Sequence, residues 1–188
     1  MHRRDLNPLL CVPTMALLLS LGACSHFHHH GSNKEESPKL DISSAAFNDG
    51  DQIPLRNTCD GKNISPPLKW SGIPESTRSL VLICDDPDAP AGTWVHWVLY
   101  DLPPTVSELA EAVSPSGTPA QGGTQGVNDF KGLGYGGPCP PPGMPHRYFF
   151  KLYALDETLN LKPGATKNEV VNAMKGHTLA EGQLMGQL

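Results

Sequence analysis

The stretch SLVLICDDPDAPAGTWVHWVLYDLP, residues 79–103, decides how this chain is read. Ser79 to Cys84 is an unbroken apolar run of strand length, the pattern of a strand covered on both faces. Trp94 to Leu102 is also apolar on both sides. In a regular extended chain Trp94, His96, Val98 and Tyr100 share one face, and Val95, Trp97 and Leu99 the other. Between the two runs lie Asp85, Asp86 and Asp88 with Pro87, Pro90 and Gly92, the composition of a rigid turn. Two central strands joined by an acidic, proline-braced connection imply a sheet protein.

Composition agrees. The chain has 188 residues, enough for one domain with its own core, and 19 glycines and 19 prolines against 6% aromatics. Such a balance favours strands and long structured loops over a helix bundle. The net charge is −5 and the basic residues are not clustered, which argues against a nucleic-acid partner. No internal repeat is present.

Toward the N-terminus, Arg3 and Arg4 precede an apolar core from Leu9 to Ala23 that is short for a membrane span. Leu21-Gly22-Ala23-Cys24 resembles the lipobox of bacterial lipoproteins. The expectation is a lipoprotein signal peptide over 1–23, cut before Cys24, whose thiol then carries the lipid. An ordinary cleaved secretory signal is the alternative. Residues 24–40 read as a flexible, lipid-anchored tether, and 41–188 as the folded domain. The tether's His26 and His28 to His30 have no carboxylate or cysteine partner in fixed geometry, so they are not read as a metal site. Ser25 fits outer-membrane sorting, so the expected location is the outer membrane, facing the periplasm.

The cysteines follow from that reading. Cys11 leaves with the signal and Cys24 is acylated, leaving Cys59, Cys84 and Cys139. Cys84 ends an apolar run and suits the core, so Cys59 with Cys139 is the expected disulfide.

Elsewhere, AAFNDGDQIP carries the signal of a tight reversal between short strands, and TCDGKNISPPLKW reads as loop. Residues 117–143 form a long irregular stretch of the kind that is usually functional. HRYFFKLYALD is a further strand with His146, Tyr148, Phe150 and Leu152 on one face and Arg147 on the other. Thr166 to Glu169 is a capping box, with Val170, Val171 and Met174 as the apolar stripe and Gly176 closing the helix. Thr178 to Glu181 repeats the cap pattern and predicts a second short helix.

The groups with chemistry to offer are Asp86, Asp88, His96, His146, Arg147 and Tyr148. Asp88, His96 and His146 could form a two-histidine, one-carboxylate metal set, but the usual ligand spacings are missing and an arginine sits beside them. Nucleophilic hydrolysis has no GxSxG elbow, and Cys139 is the one thiol near the site. An acid–base pair of Asp88 and His96 lacks a second electrophilic element. A plain rigid turn and a core histidine explain either segment alone. Together, two proline-rich loops each lead into a strand start bearing histidine, and Tyr148 shares the face of His146. Those groups with glycine N–H donors would line a small, donor-rich pocket for phosphate or carboxylate oxygens. The aspartates would orient the imidazoles and favour their charged form.

DPDAP followed by WVHW, and then GPCPPPGMPHRY, resemble the two signature regions of the phosphatidylethanolamine-binding protein family, in its bacterial Raf-kinase-inhibitor-like branch. TCDGKNISPPLKW and GVNDFKGLGYGGPCPPPG support the resemblance, which runs from about Ala45 to Gly186. It implies a mainly β, sandwich-like fold with a large central sheet, a smaller second sheet and a C-terminal helical element. It also implies a pocket for phosphate-like anions such as a phospholipid head group. Asp86, Asp88 and Pro90 match the first motif and His96 its pocket histidine; Gly137, Pro138, His146 and Tyr148 match the second. The expected function is anion binding by a membrane-anchored envelope protein, with no catalytic residue, metal or cofactor. A protein-interaction or inhibitor role through the pocket-flanking loops is the alternative, and a hydrolase a weaker one. A protein partner and a homodimer are left open.

Overall fold

The structure, a computed structural model, describes residues 38–188. The expected signal peptide, the lipidation site Cys24 and the histidine tract lie outside the described residues. Leu40, the last residue of the expected tether, is buried in the core, and its amide donates to the Glu181 carbonyl at 2.8 Å.

The described residues form β1 (Asp41–Ser43), β2 (Leu68–Ser71), β3 (Ser79–Asp86), β4 (Trp94–Leu102), β5 (Glu108–Leu109), β6 (Thr124–Gln125), β7 (Arg147–Leu155), α1 (Lys167–Ala173) and β8 (Thr178–Gln187). They make a three-stranded sheet in the order β1-β2-β5 and a five-stranded sheet in the order β6-β4-β3-β7-β8, with every strand pairing antiparallel. The fold is mainly β, with two sheets and one small helix.

β3 lies at the centre of the large sheet and all eight of its residues are buried, as its unbroken apolar run requires. Leu80, Leu82 and Cys84 pack with Leu68 and Trp70 of the small sheet. Val81 and Ile83 pack on the opposite face with Val170 and Met174 of the helix end. β7 alternates as read, with Tyr148, Phe150 and Leu152 in the inter-sheet core. Cys84 is a free, fully buried thiol whose pKa burial pushes well up, so it acts as a core hydrophobe.

Four local readings differ from the structure. Thr178 opens a strand instead of a second helix. Gly182 and Gly186 lower helix propensity, and the inward positions Ala180, Leu184 and Gly186 are buried at period two. A Cβ on Gly182 would run into the Leu40 carbonyl, so the small inward residues are what let the N-terminal segment cross β8. The capping box of α1 is present, but Val171 is 38% exposed, so Val170 and Met174 alone form the buried stripe. Asn48-Asp49-Gly50 makes its turn, with Gly50 at φ 84°. That turn docks on the end of β8, where the Gly50 amide donates to the Met185 carbonyl at 2.8 Å, and joins no hairpin. Leu68 to Trp70, read within a loop, belong to the strand β2.

Candidate functional site

β3 ends at Asp86, and three aspartates within four residues go three ways. Asp85 points to the helix side, where its buried carboxylate accepts from Lys151 at 2.9 Å and also from Lys167 at the start of α1. Asp86 points to the other face. Its Oδ2 meets His146 Nδ1 at 2.7 Å and its Oδ1 accepts the Asp88 amide at 2.8 Å. Asp88 places Oδ2 on Arg147 Nε and Oδ1 on Arg147 Nη2, both at 2.8 Å, and Oδ2 also accepts the Arg147 amide at 3.0 Å. These hydrogen bonds, led by the guanidinium, hold the Asp88 carboxyl down at about 2.

β4 does not keep the expected alternation. Cys84 pairs with Trp97 and Asp85 with Val95, so His96 is the extra residue of a bulge. The bulge puts Trp94, His96 and Trp97 toward the small-sheet side, while Val98 and Tyr100 pack in the helix-side core. His96 stands edge-on to Tyr148 with ring centroids 5.1 Å apart and edge-on to Phe130 at 5.4 Å. Its Nδ1 lies 2.7 Å from the Gly136 carbonyl, which can only accept, so Nδ1 carries the proton. Burial lowers the His96 pKa against the opposing pull of that carbonyl and the Asp86 charge. The expected charged, aspartate-oriented imidazole is therefore replaced at this position by a neutral, carbonyl-oriented one.

Tyr148, on β7, is fully buried, and its hydroxyl has no hydrogen-bond partner among the described residues. Burial first, and then the nearby Asp86 charge, raise its pKa, so the phenol stays protonated. The second-motif loop is pinned from outside. Cys139 is disulfide-bonded to Cys59, and the Cys59 amide donates to the Pro138 carbonyl at 3.0 Å. Gly137 donates its N–H to Asn63 Oδ1 at 2.6 Å, and Gly136 donates to the His96 carbonyl at 2.8 Å. A Cβ on Gly137 would meet the Asn57 carbonyl at 2.7 Å, so the position needs a glycine for close approach.

These elements enclose a cavity of about 200 Å³. Asp86, Pro90, His96, His146 and Tyr148 line it, as the sequence predicted, together with Ala89, Trp94, Phe130 and Cys139 to Pro141. Asp88, Gly137 and Pro138 stand behind the wall: Asp88 is spent on Arg147, and the glycine amides are spent on protein acceptors. The pocket is thus narrower in donors than the sequence suggested, and its walls are mostly apolar. Sequence reasoning gave no role to Trp94 or Phe130. Strand alternation had set Trp94 on the face of His96, whereas Phe130 lies in the irregular stretch with no period to place it. The lining holds no serine, threonine or free thiol, since Cys139 is in the disulfide.

Residues 43–188 match the family model described as phosphatidylethanolamine-binding protein. A UPF0098 protein of Methanothermobacter thermautotrophicus is 54% identical over 147 residues, covering 78% of this chain and 97% of its own. Another UPF0098 protein, from Aquifex aeolicus, is 50% identical over 149 residues, covering 78% and 86% respectively. Among solved structures, a phosphatidylethanolamine-binding protein homologue of Chlamydia trachomatis superposes with a TM-score of 0.72 at 41% identity, over 81% of this chain and 98% of that one. E. coli YbcL, described as a new member of the mammalian family, gives a TM-score of 0.74 at 32% identity, over 79% and 97%. Fold, motif order and these likenesses agree that the chain belongs to the phosphatidylethanolamine-binding protein family.

Proposed function

We propose that this protein binds a small phosphate- or carboxylate-bearing ligand in the cavity between the two motifs, without turning it over. The observation that carries this reading is Tyr148, which lines the cavity and whose buried hydroxyl has no hydrogen-bond partner among the described residues. An unpaired buried hydroxyl costs roughly 1–3 kcal/mol, a cost that a ligand oxygen relieves. His96 and His146 line the same cavity, with rings fixed by Gly136 and Asp86. The lining offers no activated nucleophile, which favours capture over hydrolysis. A calorimetric titration of phosphoethanolamine into wild type and His96→Ala tests the assignment. Weaker binding by the variant supports it, and equal affinity in both removes His96 from the site.

The lipobox-like Leu21-Gly22-Ala23-Cys24 supports an exported protein anchored through lipid on Cys24 and facing the periplasm. Metabolic labelling with a fatty acid tests this: wild type takes up label and Cys24→Ser does not. Label retained by Cys24→Ser contradicts it.

A second reading, a protein-interaction role, is favoured by the exposed apolar residues on the pocket-flanking loops, where Met144 is 84% and Phe130 47% exposed. Pull-down from envelope extract with wild type and Met144→Asp separates the two. A partner lost in the variant, with phosphoethanolamine affinity unchanged, assigns the rim to a protein.

A further inference from the structure

The bulge at His96 leaves its extra residue unpaired and disrupts the ladder to β3 locally. On the other side of β4, the short strand β6 pairs with Leu99 and Tyr100, and the irregular stretch takes over from there. The Gly126 amide donates to the Val98 carbonyl at 2.8 Å, Gly136 to the His96 carbonyl at 2.8 Å, and Asp129 to the Val95 carbonyl at 2.9 Å. The Val95 amide turns to a side chain, donating to Asp129 Oδ2 at 2.8 Å. A carboxylate thus stands where a strand would offer a carbonyl, and Asp129 holds both backbone groups of the buried Val95. Its two neighbours have other tasks. Asn128 closes the turn, its Oδ1 accepting the Gly132 amide at 3.1 Å and its Nδ2 donating to the Gly134 carbonyl at 2.9 Å. Phe130 stands edge-on to Trp94 and His96, and a Cβ on Gly136 would meet its ring at 2.6 Å.

Resting on the reading of His96 as a ligand contact, we infer that Asp129 is a positioning residue for the site: by holding both backbone groups of Val95 it fixes the bulge that turns His96 into the cavity. A regular β4 would set His96 on the face of Val98 and Tyr100, which pack in the helix-side core. The bulge therefore decides whether the imidazole reaches the cavity at all. Asp129 is not among the residues that line the cavity, so it acts on a ligand through His96. Without Oδ2 the Val95 amide is a buried donor with no acceptor, a costly state for backbone. Sliding β4 back toward regular pairing relieves it, and the same slide withdraws the His96 ring from the Gly136 carbonyl that orients it. What counts is an acceptor oxygen at the position of Oδ2. Asparagine places a carbonyl oxygen there without the charge, whereas glutamate keeps the charge and carries it one methylene further out.

The test compares wild type, Asp129→Ala and Asp129→Asn at pH 7 by nitrogen NMR of the His96 imidazole in the free protein and by calorimetric titration with phosphoethanolamine. Asp129→Ala is expected to shift the His96 Nδ1 signal away from its Gly136-bonded position and to weaken phosphoethanolamine by about tenfold, the scale of one lost hydrogen bond to a charged group. Asp129→Asn is expected to keep the wild-type signal and to bind within about twofold of wild type. An alanine variant that melts earlier but keeps the wild-type His96 signal overturns the inference, since Asp129 is then structural only. An asparagine variant as impaired as alanine also overturns it, because the effect then belongs to the charge. Should Asp129→Ala not fold, Asp129→Glu takes its place: a moved His96 signal with weaker binding supports the inference, and a glutamate variant that matches wild type overturns it. Wild type that fails to bind phosphoethanolamine overturns the phosphate reading instead, and the His96 signals of the free proteins then decide the positioning by themselves.

Discussion

Asp88 and Arg147 form a fork-to-fork pair, with Nε and Nη2 each 2.8 Å from a different carboxylate oxygen. The pair locks the acidic turn after β3 to the first residue of β7, and so joins the two motifs from behind the cavity. It also explains why Asp88, which the motif places among pocket residues, does not line the pocket.

This relationship predicts an acid sensitivity. The Asp88 carboxyl lies at about 2 in the fold, chiefly through its hydrogen bonds to Arg147, against a usual value of 3.8. A carboxyl depressed in this way adds stability above its unfolded value and loses it as pH falls through the folded one. Urea midpoints of wild type and Arg147→Ala should therefore differ at pH 6 and converge toward pH 2. Half of the Arg147 side chain is exposed, so added salt should shrink the difference. A gap that persists at pH 2 would assign the effect to packing of the arginine stem instead.

Tyr148→Phe should trade function against stability. Removing a buried hydroxyl that lacks a partner should raise the stability of the ligand-free protein by about 1 kcal/mol. The same change should weaken phosphoethanolamine about tenfold, the loss of one hydrogen bond to a charged group. Denaturant melts and titration of the same variant check both halves. Destabilisation of the free protein would mean that the hydroxyl has a structural partner.

The Cys59–Cys139 disulfide closes a loop across a sequence separation of 80 and fixes the wall that carries Pro140 and Pro141. Reduction should cost roughly 2–5 kcal/mol by unfolded-chain entropy. It should also weaken ligand binding, because the wall is no longer tied to the loop around Cys59. Melting temperature and affinity, measured with and without reductant on wild type and on a Cys59→Ser, Cys139→Ser double variant, test this. Reductant should leave the variant unchanged.

Gly182→Ala should be damaging although it adds a single methyl. The new Cβ would meet the Leu40 carbonyl, and backbone cannot yield as a side-chain end can. A loss of roughly 1–3 kcal/mol is expected, as for overpacking in a core. Amide exchange should show it first at the Leu40 amide bonded to Glu181. An unchanged melt would mean that the N-terminal segment shifts away freely.

Much of this arrangement was legible in the chain. The apolar run of β3, the period of β7 and the capping box of α1 are local signals that the packing also obeys. The two motifs by themselves assign Asp86, His96, His146 and Tyr148 to one cavity, and all four line it. Three features were not legible, each because tertiary contacts outweigh a local pattern. The bulge at His96 breaks a period that looked regular, and only the pairing of Cys84 with Trp97 reveals it. Asp88 and Arg147 are far apart in sequence, and nothing local says that the carboxylate turns to the guanidinium rather than inward. Thr178 to Glu181 reads as a helix cap, but the glycines that follow fit a strand crossed by residues near Leu40.

The central claim is that the cavity binds a phosphate-bearing ligand through His96 Nε2 and the Tyr148 hydroxyl. Nitrogen NMR of the imidazoles, recorded while phosphoethanolamine is added at pH 6, tests it most directly. The account predicts that His96 in the free protein is the neutral tautomer with its proton on Nδ1, and that its Nε2 signal moves on saturation while Nδ1 stays bound to Gly136. A His96 that carries its proton on Nε2, or imidazole signals that do not move at saturating ligand, would contradict it.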